Sequence, residues 1–128
     1  MKPRKIWANL GVENLERTSK FYTDLGFKSN GASEELTSFF FGEEDFIIHF
    51  FRKEILKDGM KGEILDLASG NEIIFTLSAG SREEVDSWEE EVRKAGGSII
   101  SGAEEFGKGY YGFVFADPDG HRFNVFFM

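Results

Sequence analysis

One succession of patterns, strand, helix, strand, strand, strand, occurs twice along the chain, and this internal repeat constrains the fold more than any other feature. In the first copy Ile6, Ala8 and Leu10 alternate with Trp7, Asn9 and Gly11, the period-two pattern of a strand with two different faces. Asn14 is placed to cap a helix over roughly 15–25, where Leu15, Tyr22 and Leu25 fall near one face and Gly26 offers a left-handed stop. Strands are predicted over 27–30, 36–41 and 46–52, separated by Gly31-Ala32-Ser33 and Gly42-Glu43-Glu44-Asp45, both turn chemistry.

The second copy opens with an apolar run over 72–77, followed by Ser81-Arg82-Glu83-Glu84, a capping box in which Ser81 and Glu84 satisfy each other's free backbone donors. Val85, Trp88, Val92 and Ala95 then form a narrow helical stripe that Gly96-Gly97 ends. Strands are predicted over 98–101, 110–115 and 122–127, with Asp117-Pro118-Asp119-Gly120 a turn between the last two. Residues 53–70 are charged, with a weak helical pattern through Ile55, Leu56 and Met60, and read as a connector or flap.

A four-stranded sheet with a helix on one face leaves its other face to be covered, and a second such module can cover it. The expected architecture is therefore α+β, one domain over 1–128, with βαβββ modules over 1–52 and 71–128 packed around a central cleft. At 128 residues such a core needs no disulfide or metal staple, and the absence of cysteine removes both disulfides and thiolate chemistry. A cytoplasmic location is expected, since no signal-peptide pattern precedes the first strand. The net charge of −8 opposes binding to nucleic acid, and no apolar run is long enough for a membrane span. The basic group Arg52, Lys53, Lys57 and Lys61 is diluted by Glu54, Asp58 and Glu63 and reads as a solvated surface.

Two stretches resemble the vicinal oxygen chelate superfamily, which includes glyoxalase I, bleomycin-resistance proteins and extradiol dioxygenases. They are the run from Asn9 to Tyr22 with Leu25-Gly26-Phe27, and Phe115-Ala116-Asp117-Pro118-Asp119-Gly120-His121-Arg122-Phe123-Asn124. The helix ending Ala95-Gly96-Gly97-Ser98 resembles the corresponding helix of the family's second half. In metal-dependent members each half supplies one ligand from its first strand and one from its last, and the ion stabilises negative charge developing on substrate oxygens. The resemblance puts those positions at Trp7, His49, Ile74 and Asn124. Trp7 and Ile74 cannot coordinate, and Asn124 offers a neutral carbonyl where the family has a carboxylate. No metal and no cofactor are therefore expected, and His49 reads as a cleft histidine hydrogen-bonded to a neighbour. His121, in the last turn, reads as structural.

Strand alternation gives the expected lining of the cleft: Trp7, Asn9, Ile47, His49 and Phe51 from the first module, and Ile74, Thr76, Arg122, Asn124 and Phe126 from the second. This is a mostly apolar wall with a few polar groups, the composition of a small-molecule site. Trp7 and Phe51 are suited to stacking on a planar ligand, while His49, Asn124 and Asn9 are suited to orienting it. Tyr110 and Tyr111, among Gly107, Gly109 and Gly112, form an aromatic stretch able to fold over a ligand. The resulting expectation is a metal-free binder of planar or aromatic molecules, closest in character to the bleomycin-resistance branch, working as a homodimer. The alternative is a lyase, isomerase or dioxygenase with a non-standard metal site, or with acid–base chemistry from His49 and a carboxylate such as Glu72.

Overall fold

The computed structural model describes residues 1–128, which divide into two compact units, Met1–Leu65 and Asp66–Met128. The first holds β1 (Ala8–Val12), α1 (Leu15–Asp24), β2 (Lys28–Ala32), β3 (Leu36–Phe41), β4 (Phe46–Arg52) and α2 (Lys53–Met60). The second holds β5 (Ile74–Ser78), α3 (Arg82–Ala95), β6 (Ser98–Phe106), β7 (Tyr110–Ala116) and β8 (Arg122–Phe127). Each contains a four-stranded sheet, ordered β1-β4-β3-β2 in one and β5-β8-β7-β6 in the other. The first and last strands of each half pair in parallel and the hairpins pair antiparallel, so the repeat in the sequence is a repeat in topology.

The helices begin where the capping signals place them. Asn14 Oδ1 accepts from the Arg17 N–H at 3.0 Å, and Ser81 Oγ accepts from the Glu84 N–H at 3.1 Å. The reciprocal arm of the expected box is shifted by one residue, because Glu84 Oε1 accepts from the Gly80 N–H instead of that of Ser81. Gly26 and Gly96 follow the two helices at positive φ, 91° and 98°, where a β-carbon would be strained.

Each helix covers one face of its sheet. Thr18, Phe21 and Tyr22 of α1 are buried, and Tyr22 stacks on Phe50 with ring centroids 4.6 Å apart. Phe39, Phe41 and Ile48 complete that core. In the second unit Val85 and Val92 of α3 are buried, along with Phe113, Phe115, Phe123 and Val125, and Phe115 and Phe123 stack at 5.1 Å. Seven of the fifteen phenylalanines are therefore buried in these two cores, as packing alone would ask. On the outside of α3, the Tyr111 hydroxyl donates to Asp86 at 2.5 Å, and this bond to a carboxylate pushes the phenol's pKa up.

Four local readings are corrected. Ile6 and Trp7 precede β1 and are exposed, because pairing with β4 starts only at Ala8. The second strand runs on through Gly31 and Ala32, where the sequence predicts a turn; a register shift between Ser29 and Ala32 absorbs the irregularity. The sixth strand extends to Phe106 through two further register shifts. Residues 53–60 of the expected connector form a helix, and its side chains pack over Gly11: a β-carbon there would lie 3.2 Å from Lys53 Cγ and 3.3 Å from Leu56 Cδ2. No helix is long and apolar enough to cross a membrane.

Candidate ligand-binding faces

Residues opposite one another across a ladder point to the same face of the sheet. Asn9 and Ser38 are both paired with His49, and Gly11 and Leu36 with Phe51. His49 thus sits on the central strand β4, on the face turned away from α1, with Ile47 and Phe51 along the same strand. Its ring is edge-on to Trp7 at 6.3 Å and to Phe51 at 5.9 Å. Helix α2 covers the Gly11 end of this face.

A polar chain runs beneath the imidazole. Asn30 Nδ2 donates to Ser38 Oγ at 3.1 Å, and Ser38 Oγ lies 2.8 Å from His49 Nδ1. Ser38 is 1 % exposed, so its hydroxyl proton needs a partner within the protein. We assign His49 Nδ1 as that partner, the accepting role a ring nitrogen has in one of the two tautomers. That bond fixes the tautomer with the proton on Nε2, and a neutral His49 presents an N–H donor on its far edge. Nitrogen NMR of the imidazole is expected to show the Nε2–H form in the wild type and a mixture of tautomers in Ser38→Ala; a wild-type Nδ1–H form would contradict the assignment.

The second sheet has an equivalent face. Ile74, Thr76 and Phe126 share it with Arg122 and Asn124 through the registers of β5, β7 and β8. Asn124, on the central strand β8, is 8 % exposed, and its Oδ1 has no hydrogen-bond partner. It lines a hollow of about 190 Å³ together with Ser101, Glu104, Phe106, Gly112 and Phe126. Gly112 has no room for a side chain. A β-carbon there would collide with the Val125 carbonyl and come within 2.9 Å of Phe126 Cδ1, so only glycine keeps the hollow and the β7–β8 ladder together. Ser101 Oγ donates to Glu104 Oε1 at 3.2 Å, and the Phe106 ring stands 4.6 Å from that of Phe126.

The predicted residues therefore fall into two sets. Asn9, Ile47, His49 and Phe51 share one sheet face with Trp7 beside them, and Ile74, Thr76, Arg122, Asn124 and Phe126 share the other. Trp7 and Ile74 are about half exposed, at 51 % and 47 %. Glu72 is exposed on the approach to β5. Sequence reasoning missed Ser38, Asn30, Ser101, Glu104 and Phe106. Ser38 was within reach: counting back from the Phe41–Phe46 turn pair lands it opposite His49. Tyr110 packs against Phe106 at 5.9 Å and is part of the wall beside the hollow.

Donor chemistry at the four metal-ligand positions does not suit a divalent ion. An indole N–H only donates, an isoleucine has no donor atom, and an amide oxygen brings no charge, so one imidazole stands alone. No group of three or more His, Asp or Glu side chains gathers elsewhere in the chain. His121 is accounted for differently. Its Nδ1 lies 2.8 Å from Asp117 Oδ2, while Asp117 Oδ1 accepts from the N–H groups of Asp119, Gly120 and His121, so the pair holds the last turn, as the sequence reading expected.

The family model of the Glyoxalase/Bleomycin resistance protein/Dioxygenase superfamily matches residues 6–125. Among solved structures, the hypothetical protein SA1046 from S. aureus is similar over 100% of this chain and 96% of its own, with 27% identity and a TM-score of 0.88. A glyoxalase-related enzyme from Fulvimarina pelagi is similar over 98% and 89%, with 20% identity and a TM-score of 0.87. The lactoylglutathione lyase of Agrobacterium tumefaciens is similar over 98% and 95%, at 18% identity and a TM-score of 0.71. No curated protein gives a significant match.

Proposed function

Since the chain belongs to the glyoxalase, bleomycin resistance protein and dioxygenase superfamily, yet three of the four family ligand positions carry Trp7, Ile74 and Asn124, we propose that it binds small planar, largely aromatic molecules without a metal. The observation that carries this reading is His49, held from behind by Ser38 and flanked by Trp7 and Phe51 on the sheet face turned away from α1. Aromatic edges and faces supply apolar contact area at little entropic cost, and a single oriented N–H selects for a ligand acceptor. A cytoplasmic homodimer without nucleic-acid or membrane partners completes the proposal; the acidic charge and the family's habit of pairing support it.

Calorimetry with a neutral planar amide, 2-naphthamide, tests the reading. Wild-type protein is expected to bind it, and Trp7→Ala and Phe51→Ala are each expected to weaken binding by about 1–2 kcal/mol, roughly five- to thirty-fold. Absence of heat and of thermal stabilisation at millimolar ligand would overturn the proposal. A stoichiometric divalent metal that disappears in His49→Ala would favour the enzyme reading instead.

A further inference from the structure

We propose that Asn30-Gly31 is a site of spontaneous deamidation, and that the aspartate it leaves reverses the hydrogen bonds that lead to His49. Of the five asparagines in the chain, Asn30 alone is followed by glycine; leucine, leucine, glutamate and valine follow the others. A following glycine has no β-carbon to hinder attack by its own nitrogen, and it enters backbone shapes that other residues resist. Here Gly31 already stands at φ 100°. Asn30 and Gly31 fall in the register gap of β2, between Ser29 and Ala32, and the Gly31 N–H donates to Ser29 Oγ at 3.0 Å. β2 is an edge strand with all five residues exposed, so water reaches it and local opening costs little.

The chemistry needs only water. The Gly31 nitrogen attacks Asn30 Cγ and solvent carries its proton to Nδ2; the new N–Cγ bond closes a succinimide as the Cγ–Nδ2 bond breaks and ammonia leaves. Water then adds to a ring carbonyl and opens the imide to aspartate or isoaspartate, the carboxyl proton passing to solvent. The product matters because Asn30 bonds to Ser38, which pairs with His49 across β3 and β4. The asparagine amide donates to Ser38 Oγ, and the Ser38 hydroxyl in turn faces His49 Nδ1. A carboxylate only accepts. A hydroxyl bond to a charged carboxylate is roughly twice as strong as one to a neutral acceptor, so Ser38 turns its proton from His49 toward residue 30. The freed Ser38 oxygen then accepts from a protonated Nδ1, and the Nε2 edge of the neutral ring changes from donor to acceptor. A ligand carbonyl that meets an N–H in the native chain meets a lone pair in the deamidated one, a consequence that rests on the ligand-binding reading.

Two measurements on the full chain test the proposal. Wild-type protein is held in warm, mildly alkaline buffer and digested; mass spectrometry is expected to find the mass shift of amide-to-acid exchange first on the peptide that holds Asn30, and no shift there in Asn30→Gln. Nitrogen NMR, recorded above the ordinary imidazole titration range, is expected to show His49 as the Nδ1–H form in Asn30→Asp and as the Nε2–H form in wild type. An Asn30 peptide that shifts no sooner than those of the other asparagines would overturn the proposal, as would one and the same His49 tautomer in Asn30→Asp and wild type. If 2-naphthamide fails to bind, the ligand-binding reading falls while these two results still decide the switch.

Discussion

Truncating Phe50 to alanine is expected to destabilise the protein by about 3–5 kcal/mol. Its side chain is 0 % exposed on the central strand β4, stacked on Tyr22 at 4.6 Å and edge-on to Phe39 at 6.5 Å. Removing it costs the transfer free energy of a full aromatic ring and leaves a cavity that the rigid aromatic neighbours cannot fill. Since a native domain holds about 5–15 kcal/mol in all, this is a large share. Urea unfolding should show a lower midpoint with an unchanged slope. A loss below about 1 kcal/mol would mean that the α1 face is not packed as described. The change also reaches the candidate site, because Phe50 is the neighbour of His49 on the same strand and points the opposite way.

Asp117→Ala is expected to cost about 3 kcal/mol, for a different reason. Asp117 is 3 % exposed and its carboxylate receives three backbone N–H groups and the His121 ring. Alanine abandons these donors in a buried turn. Asp117→Asn retains a carbonyl oxygen for the backbone donors and is expected to lose less, and His121→Ala to lose less still, since the backbone bonds survive. Equal losses in all three variants, read by thermal unfolding, would contradict this ordering. The turn matters for ligand binding because β8 starts at Arg122 and carries Asn124 and Phe126. This gives the Asp-Pro-Asp-Gly-His run a physical role in setting the register of the strand that follows.

What could be read from the sequence follows from where each signal resides. The repeat, both helices and their caps are local: Asn14 and Ser81 sit next to the donors they satisfy, and Val85 and Val92 recur at helical spacing. Alternation along β4 and β8 correctly put Ile47, His49 and Phe51, and Arg122, Asn124 and Phe126, on common faces. Ser101 and Glu104 were not legible, because the shifts in β6 break the period of two that would have marked their face. The helix after β4 was underread for a similar reason: its apolar positions are few, and what fixes it is the space above Gly11, which only a folded sheet reveals.

In the proposed function, this member of the superfamily engages small molecules through its own side chains and not through a metal ion. One calorimetric titration of 2-naphthamide, run on a single preparation before and after exhaustive treatment with a chelator, tests it most directly. The same affinity is expected in both runs, with no gain on adding zinc, manganese or iron(II). Binding that vanishes with the chelator and returns with one equivalent of a divalent metal would contradict it.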